Sequence, residues 1–285
     1  TELLQELVRI PTVNTGTMPT GNETELCRLL KKKLDAEGIE SEIVWDEPTR
    51  GNFVARLNGA DNGKAKLMYM GHTDTVPIGD ESKWKHPPFS GTLDDGRIYG
   101  RGADDCKSVV ACDIMTIILL KRLNIPLKRS FIVAAGCEEE TGSKYGFRWL
   151  AKNKKEMIDA EFAINEGGGD PVNTPKGLCF AVAIGEKGRL DAKISFKGQS
   201  CHASIPWEGD NALVKMSQAV QRINDYQAKR DVSTVIFQDI PRLFDIDKSE
   251  ITSGNIDNVI SKIYDMNASV GSALRGLSRM TITPT

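Results

Sequence analysis

KLMYMGHTDTVP, residues 66–77, decides how the chain is read. Its first half is almost entirely apolar, as a strand buried on both faces of a parallel sheet has to be, and its second half turns polar. His72 and Asp74 therefore fall at the carboxyl end of a buried strand, the edge at which open α/β sheets bind their ligands. The chain has only three histidines, so the placement of this one is informative. A metal ligand supported by Asp74 and a histidine that merely finishes a strand are the alternatives to be separated.

Working outward, residues 22–37 carry Leu26, Leu29, Leu30 and Leu34 at helical spacing, with Gly38 as a stop. SEIVW (41–45), NFVARL (52–57), RSFIVAAG (129–136) and AEFAIN (160–165) read as strands. Residues 107–123 read as a buried helix, and GSKYGFRWLAKN (142–153) as another. A turn-rich loop spans 78–95. This alternation implies an α/β fold, a mainly parallel mixed sheet sandwiched by helices.

The pattern changes near residue 184. GRLDAKISFKG (188–198) alternates, as in a half-exposed antiparallel strand, and a helix (210–225) and a less patterned region, 227–277, follow. The expected organisation is a catalytic domain over 1–184 and a smaller α+β domain over 185–285. The chain stops in the β-rich run RMTITPT without a turn, so the second domain looks incomplete and the chain is expected to be a fragment of a longer protein.

With 40% hydrophobic and 27% charged residues and a net charge of −2, the composition is that of a globular protein without a global field for nucleic acid or anionic lipid. No apolar run approaches the ~20 residues that span a bilayer, and the opening TELLQELVRIPT lacks the apolar centre of a signal peptide. The six cysteines form no C-x-x-C pair, which argues against a disulfide framework and a thiolate zinc site. A cytoplasmic location is expected, with neither nucleic acid nor membrane as partner.

Acidic groups also stand at other strand ends. Glu138, Glu139 and Glu140 follow FIVAAG, Glu166 follows FAIN, and Asp104 and Asp105 precede the helix at Lys107. Parallel strands bring such ends to one rim, where clustered carboxylates repel one another unless cations lie among them. Taken singly, each has an ordinary explanation: a charged turn, a helix first turn or an N-cap. Imidazole with carboxylates suits zinc, with cobalt or manganese as substitutes.

GHTDTVP (71–77), GRGADDCK (100–107), EEETGS (138–143) and NEGGG (165–169), with the intervening WKHPPFSG loop, together resemble the di-zinc aminoacylase/carboxypeptidase family. That family includes acetylornithine deacetylase, succinyl-diaminopimelate desuccinylase, dipeptidases and glutamate-releasing carboxypeptidases. The resemblance implies that His72 ligates one zinc and that Asp74 fixes its ring through the second nitrogen. It implies Asp105 as the bridging ligand, two residues before Lys107. With Thr141-Gly142 as anchor, it implies Glu139 as general base and Glu140 as ligand, Glu138 replacing the usual aspartate. It further implies that Glu166 completes the first zinc site. GQSCHASIP (198–206) resembles the signature of the smaller domain, whose histidine, here His202, helps hold the oxyanion across a homodimer.

The implied activity is a metal-dependent amidohydrolase with short peptides or N-acyl amino acids as substrates, two zinc ions serving each active site. A biosynthetic deacylase acting on acetylornithine or succinyl-diaminopimelate is the alternative enzyme, and an inactive form serving as a binding or partner subunit is the alternative outside catalysis. The chain also departs from the family at the second zinc site. No histidine follows His202, so the last protein ligand of the second zinc has no counterpart here.

Overall fold

A computed structural model describes residues 1–61, 65–167, 171–188 and 190–284. Two compact units divide the chain, Thr1–Glu166 and Gly167–Thr285. The division comes ahead of the boundary expected near residue 185.

The first unit begins with helices α1 (Glu2–Val8) and α2 (Glu23–Ala36) and strands β1 (Glu40–Val44), β2 (Asn52–Leu57) and β3 (Ala65–His72). A short hairpin, β4 (Thr92–Asp94) and β5 (Arg97–Tyr99), precedes helix α3 (Lys107–Arg122) and strand β6 (Phe131–Gly136). Helices α4 (Phe147–Asn153) and α5 (Lys155–Ile158) lead to strand β7 (Ala160–Ile164). The five-stranded sheet has the order β1-β2-β6-β3-β7. β3 pairs parallel with both β6 and β7, while β2 runs antiparallel to β1 and β6. The sheet is mixed, and its parallel part carries the acidic strand ends.

Strand alternation explains the helices on both faces. Phe131, Val133 and Ala135 of β6 point to one side and pack with Leu26, Leu30 and Leu34 of α2 and Val110, Ile114 and Ile117 of α3. Ile132 and Ala134 point to the other side, joining Val54, Met68, Phe147 and Met157. Each fully buried Leu or Ile contributes roughly 1.5–3 kcal/mol, so these two layers hold the sheet rigid beneath the rim. Gly136 must lack a side chain, since a Cβ there would lie 2.5 Å from the Phe147 ring.

In register, His72 lies opposite Gly136, and Tyr69 opposite Ile164. The segments leaving β3, β6 and β7 therefore emerge side by side, as parallel pairing requires.

The second unit contains a hairpin, β8 (Pro171–Thr174) and β9 (Gly177–Phe180), and helix α6 (Ala212–Asp225), N-capped by the Asn211 side chain. The less patterned region 227–277 turns out to hold helices α7 (Ile236–Leu243), α8 (Ile256–Met266) and α9 (Ala268–Leu277) around a core of their own, including Phe237, Phe244, Ile260 and Leu274. The strand expected over 188–198 does not form among the described residues. Leu190 and Ile194 are 93% and 61% exposed. Alternation alone does not make a strand; it needs a neighbour to close the ladder, and none pairs here. Gly168, Gly169, Arg189 and Thr285, within stretches quoted above, lie outside the described residues.

Candidate metal centre

His72 closes β3 with its side chain only 1% exposed. Around its Nε2 stand carboxylates from three separate elements: Asp105 Oδ1 at 2.8 Å, Glu166 Oε2 at 3.4 Å and Glu139 Oε2 at 3.9 Å. Asp105 lies just before α3, Glu139 in a short 3-10 turn after β6, and Glu166 two residues beyond β7. The ligand atoms of His72, Asp105, Cys106 and Glu166 all lie within 4.8 Å of one another.

The other face of the ring looks inward. His72 Nδ1 lies 3.0 Å from the Asp74 main-chain carbonyl and 3.4 Å from Asp74 Oδ1. Asp74 is fully buried, and it accepts the main-chain N–H of Glu139 at 2.9 Å and that of Glu140 at 3.2 Å. The aspartate thus touches both the ring and the acidic turn. Glu138 stands apart in a left-handed conformation (φ 59°), and its carboxylate accepts from Tyr145 N at 2.7 Å and Thr141 Oγ1 at 3.3 Å, closing the turn.

The electrostatics fit a cation. Burial alone would pull the His72 imidazole down, but Asp74, Cys106 and the surrounding negative charge outweigh it and push it up to about 12. Burial lifts the Glu139 carboxyl above the usual range; His72 opposes that lift, while Glu166, Asp74 and Asp105 add to it. Glu140 is lifted by burial and then by the charge of Asp105. Burial would raise Asp74 as well, yet its hydrogen bonds to His72 and Asn14 hold it below the ordinary aspartate value. A cation at the outer face of His72 would draw the raised Glu139 and Glu140 carboxyls back down and would replace the imidazole's proton. Divalent ions fit the donor set in both charge and chemistry.

Cys106 and Asn14, not singled out in the sequence, also line the centre. Cys106 is buried, its Sγ accepting His72 N–H at 3.0 Å and donating to His72 O at 3.3 Å; burial pushes the thiol up to about 11. Lys107 is buried and donates to the carbonyls of Leu7 (3.1 Å) and Ile10 (2.8 Å), tying the start of α3 to the end of α1. Asn14 donates to Asp74 Oδ2 at 2.8 Å. The D-x-K spacing pointed toward Lys107, whereas no spacing links Asn14 to a group sixty residues away.

His202 belongs to the second unit. Its ring is exposed, with Nδ1 2.8 Å from Ser204 Oγ. His86 pairs with Asp94 at 3.1 Å and packs edge-on against Tyr99.

Residues 68–251 match the description of peptidase family M20/M25/M40. The chain belongs to this family. A probable succinyl-diaminopimelate desuccinylase of Staphylococcus aureus strain Mu50 is 32% identical to this M20 chain over 219 residues, covering 74% of the chain and 48% of the relative. The corresponding protein of strain MRSA252 is 31% identical over the same length, with 74% and 47% covered. The M20 chain spans about half the length of these curated relatives. The crystal structure of an M20 metallo-carboxypeptidase, Sso-CP2 from Sulfolobus solfataricus, superposes with a TM-score of 0.58 at 21% identity, over 99% of this chain and 60% of that one. That likeness supports the fold, a mixed α/β sheet flanked by helices.

Proposed function

We propose that this M20 chain carries the catalytic centre of a metal-dependent amidohydrolase that cleaves short peptides or N-acyl amino acids. The observation that carries the proposal is the convergence of Asp105, Glu139 and Glu166 on Nε2 of one buried histidine. His72 and Glu166 would hold one divalent ion and Glu140 a second, with Asp105 shared between them. Zinc suits this donor set, and cobalt or manganese would substitute. When bound, such ions polarise an amide carbonyl and lower the pKa of water.

The chain's own residues supply the rest. Glu139, with its side chain 45% exposed, reaches the rim where a substrate would lie. Its raised carboxyl suits a general base that takes a proton from water and returns it to the leaving nitrogen. Asp74 keeps His72 and the turn bearing Glu139 in one geometry. In the second unit, Ser204 occupies His202 Nδ1, so Nε2 is the nitrogen offered to an oxyanion, across a homodimer as the family resemblance implies.

Two substrate classes are carried forward. Peptide cleavage accords with the general character of the family. Removal of an N-succinyl or N-acetyl group from a diamino acid is favoured by the 32% identity to the Staphylococcus desuccinylases. Hydrolysis of a panel of dipeptides, N-acetyl amino acids and N-succinyl diamino acids, with and without added Zn²⁺ or Co²⁺, tests both. Metal-dependent cleavage of one class selects it. Silence across the panel, with zinc bound, rejects the enzyme and leaves a binding or partner subunit.

A further inference from the structure

The residue that joins the two halves of the centre comes from neither of them. We propose that Asn14 is a positioning residue that locks Asp74 to the turn Glu139–Thr141 and so fixes the His72 ring relative to Glu139. The proposal rests on His72 as a metal ligand and Glu139 as the base.

Asn14 is 3% exposed, and its amide is fully used. Nδ2 donates to Asp74 Oδ2 at 2.8 Å and to Thr141 Oγ1 at 2.9 Å, while Oδ1 accepts Gly16 N–H at 3.0 Å. The orientation of the amide is dictated by its partners. An ionised carboxylate only accepts and a main-chain N–H only donates, so nitrogen must face Asp74 and oxygen must face Gly16.

The backbone that presents this amide is held on both sides. Asn14 N donates to Thr75 O at 2.7 Å, Thr75 N donates to Thr12 O at 3.0 Å, and Thr12 Oγ1 donates to Thr73 O at 2.6 Å. The N-terminal segment is thus laced to the residues on either side of Asp74, and the amide has little freedom to be elsewhere. A group fixed in this way loses little entropy in making its bonds.

Removing the amide has two effects. Asp74 Oδ2 keeps only the Glu140 N–H, at 3.2 Å the longer of its two bonds, so the carboxylate is freer to turn. Thr141 loses its hydrogen bond to the N-terminal segment, and of these two anchors only Asp74 still ties the turn carrying the base to the end of β3. Both changes act on the spacing between ring and base without touching a ligand.

The test is titration of the metal-free intact protein with Zn²⁺ against a competing chelator, together with kcat and KM on an amide substrate. Outer groups that orient metal ligands typically change affinity or activity by 10–100-fold, and Asn14→Ala is expected to weaken Zn²⁺ binding by about 10-fold and to lower kcat with KM little changed. Thr141→Val, at an exposed residue, should shift both quantities in the same direction, and adding it to Asn14→Ala should cost less than it does alone, the remainder being its hydrogen bond to Glu138. A folded Asn14→Ala protein with wild-type Zn²⁺ affinity and kcat overturns the proposal. Should Asn14→Ala fail to fold, Thr141→Val decides, and wild-type values there overturn it equally. His72→Ala separates this idea from its foundation: undiminished Zn²⁺ affinity in that variant rejects the metal centre itself, whereas a loss there beside an unchanged Asn14→Ala rejects only the role of Asn14.

Discussion

Asp74 Oδ1 accepts the main-chain N–H of Glu139 at 2.9 Å, joining the end of β3 to the turn after β6. One buried carboxylate therefore serves both the imidazole and the acidic turn. His72 Nδ1 has two acceptors to choose from, the Asp74 carbonyl at 3.0 Å and the carboxylate at 3.4 Å. Asp74→Asn distinguishes them. If the carboxylate governs the centre, replacing one acceptor oxygen by a donor opposes a main-chain N–H, and Zn²⁺ affinity should fall by about 10–100-fold with the fold retained. If the carbonyl alone orients the ring, affinity should barely change.

Glu139 and Glu140 are adjacent but are expected to fail in different ways. Glu139→Ala should lower kcat by about 10²–10⁴-fold, the usual contribution of a general base, while Zn²⁺ still binds. Glu140→Ala should lose bound zinc. Metal analysis of the purified variants beside their turnover numbers checks the division of labour, and zinc lost from Glu139→Ala would contradict it.

Gly136 lies opposite His72 in the β3–β6 register. A methyl group there would meet Phe147 at 2.5 Å, so Gly136→Ala must displace either the ring or the strand. A cost of about 1–3 kcal/mol is expected for such overpacking, read from urea unfolding. Because β6 carries the acidic turn, activity should fall in the protein that remains folded.

Asp113, on α3, is 8% exposed, and burial raises its carboxyl from 3.8 to about 7. Between those values the folded chain keeps a proton that the unfolded chain releases, so stability falls as pH rises from about 4 to about 7. Asp113→Asn has no proton to lose. It should remove that part of the slope and be the more stable protein at pH 8, by on the order of 4 kcal/mol at most. Thermal unfolding across pH 5–8 measures the difference, and identical slopes for the two proteins would remove burial as the cause.

Much of the first unit was legible because its patterns are local. The apolar run of β3, the leucine spacing of α2 and the buried strand FIVAAG each report burial through side-chain period alone. β3 begins at Ala65, one residue before the quoted stretch, and both ends of α2 lie within one residue of the expected span. In the second unit the same period is present: Ile256, Val259, Ile260 and Ile263 mark one helical face, and Asn267 caps the next helix through Val270 N–H. The stretch 188–198 differs for the opposite reason: among the described residues no strand pairs with it.

By itself, the sequence determined which residue types end the strands of the first unit, placing His72, the run Glu138–Glu140 and Glu166 at those ends. Period and spacing suffice for that, because a parallel sheet exposes the ends of its strands along one rim. Only the tertiary structure decided how those groups are aimed. The Glu138 carboxylate turns back to Tyr145 while Glu139 approaches His72, and Asn14 crosses from the N-terminal segment to Asp74. Those choices depend on hydrogen bonds between residues far apart in the chain. Such bonds need a donor and an acceptor only where the fold brings them together, so they leave no period in the sequence.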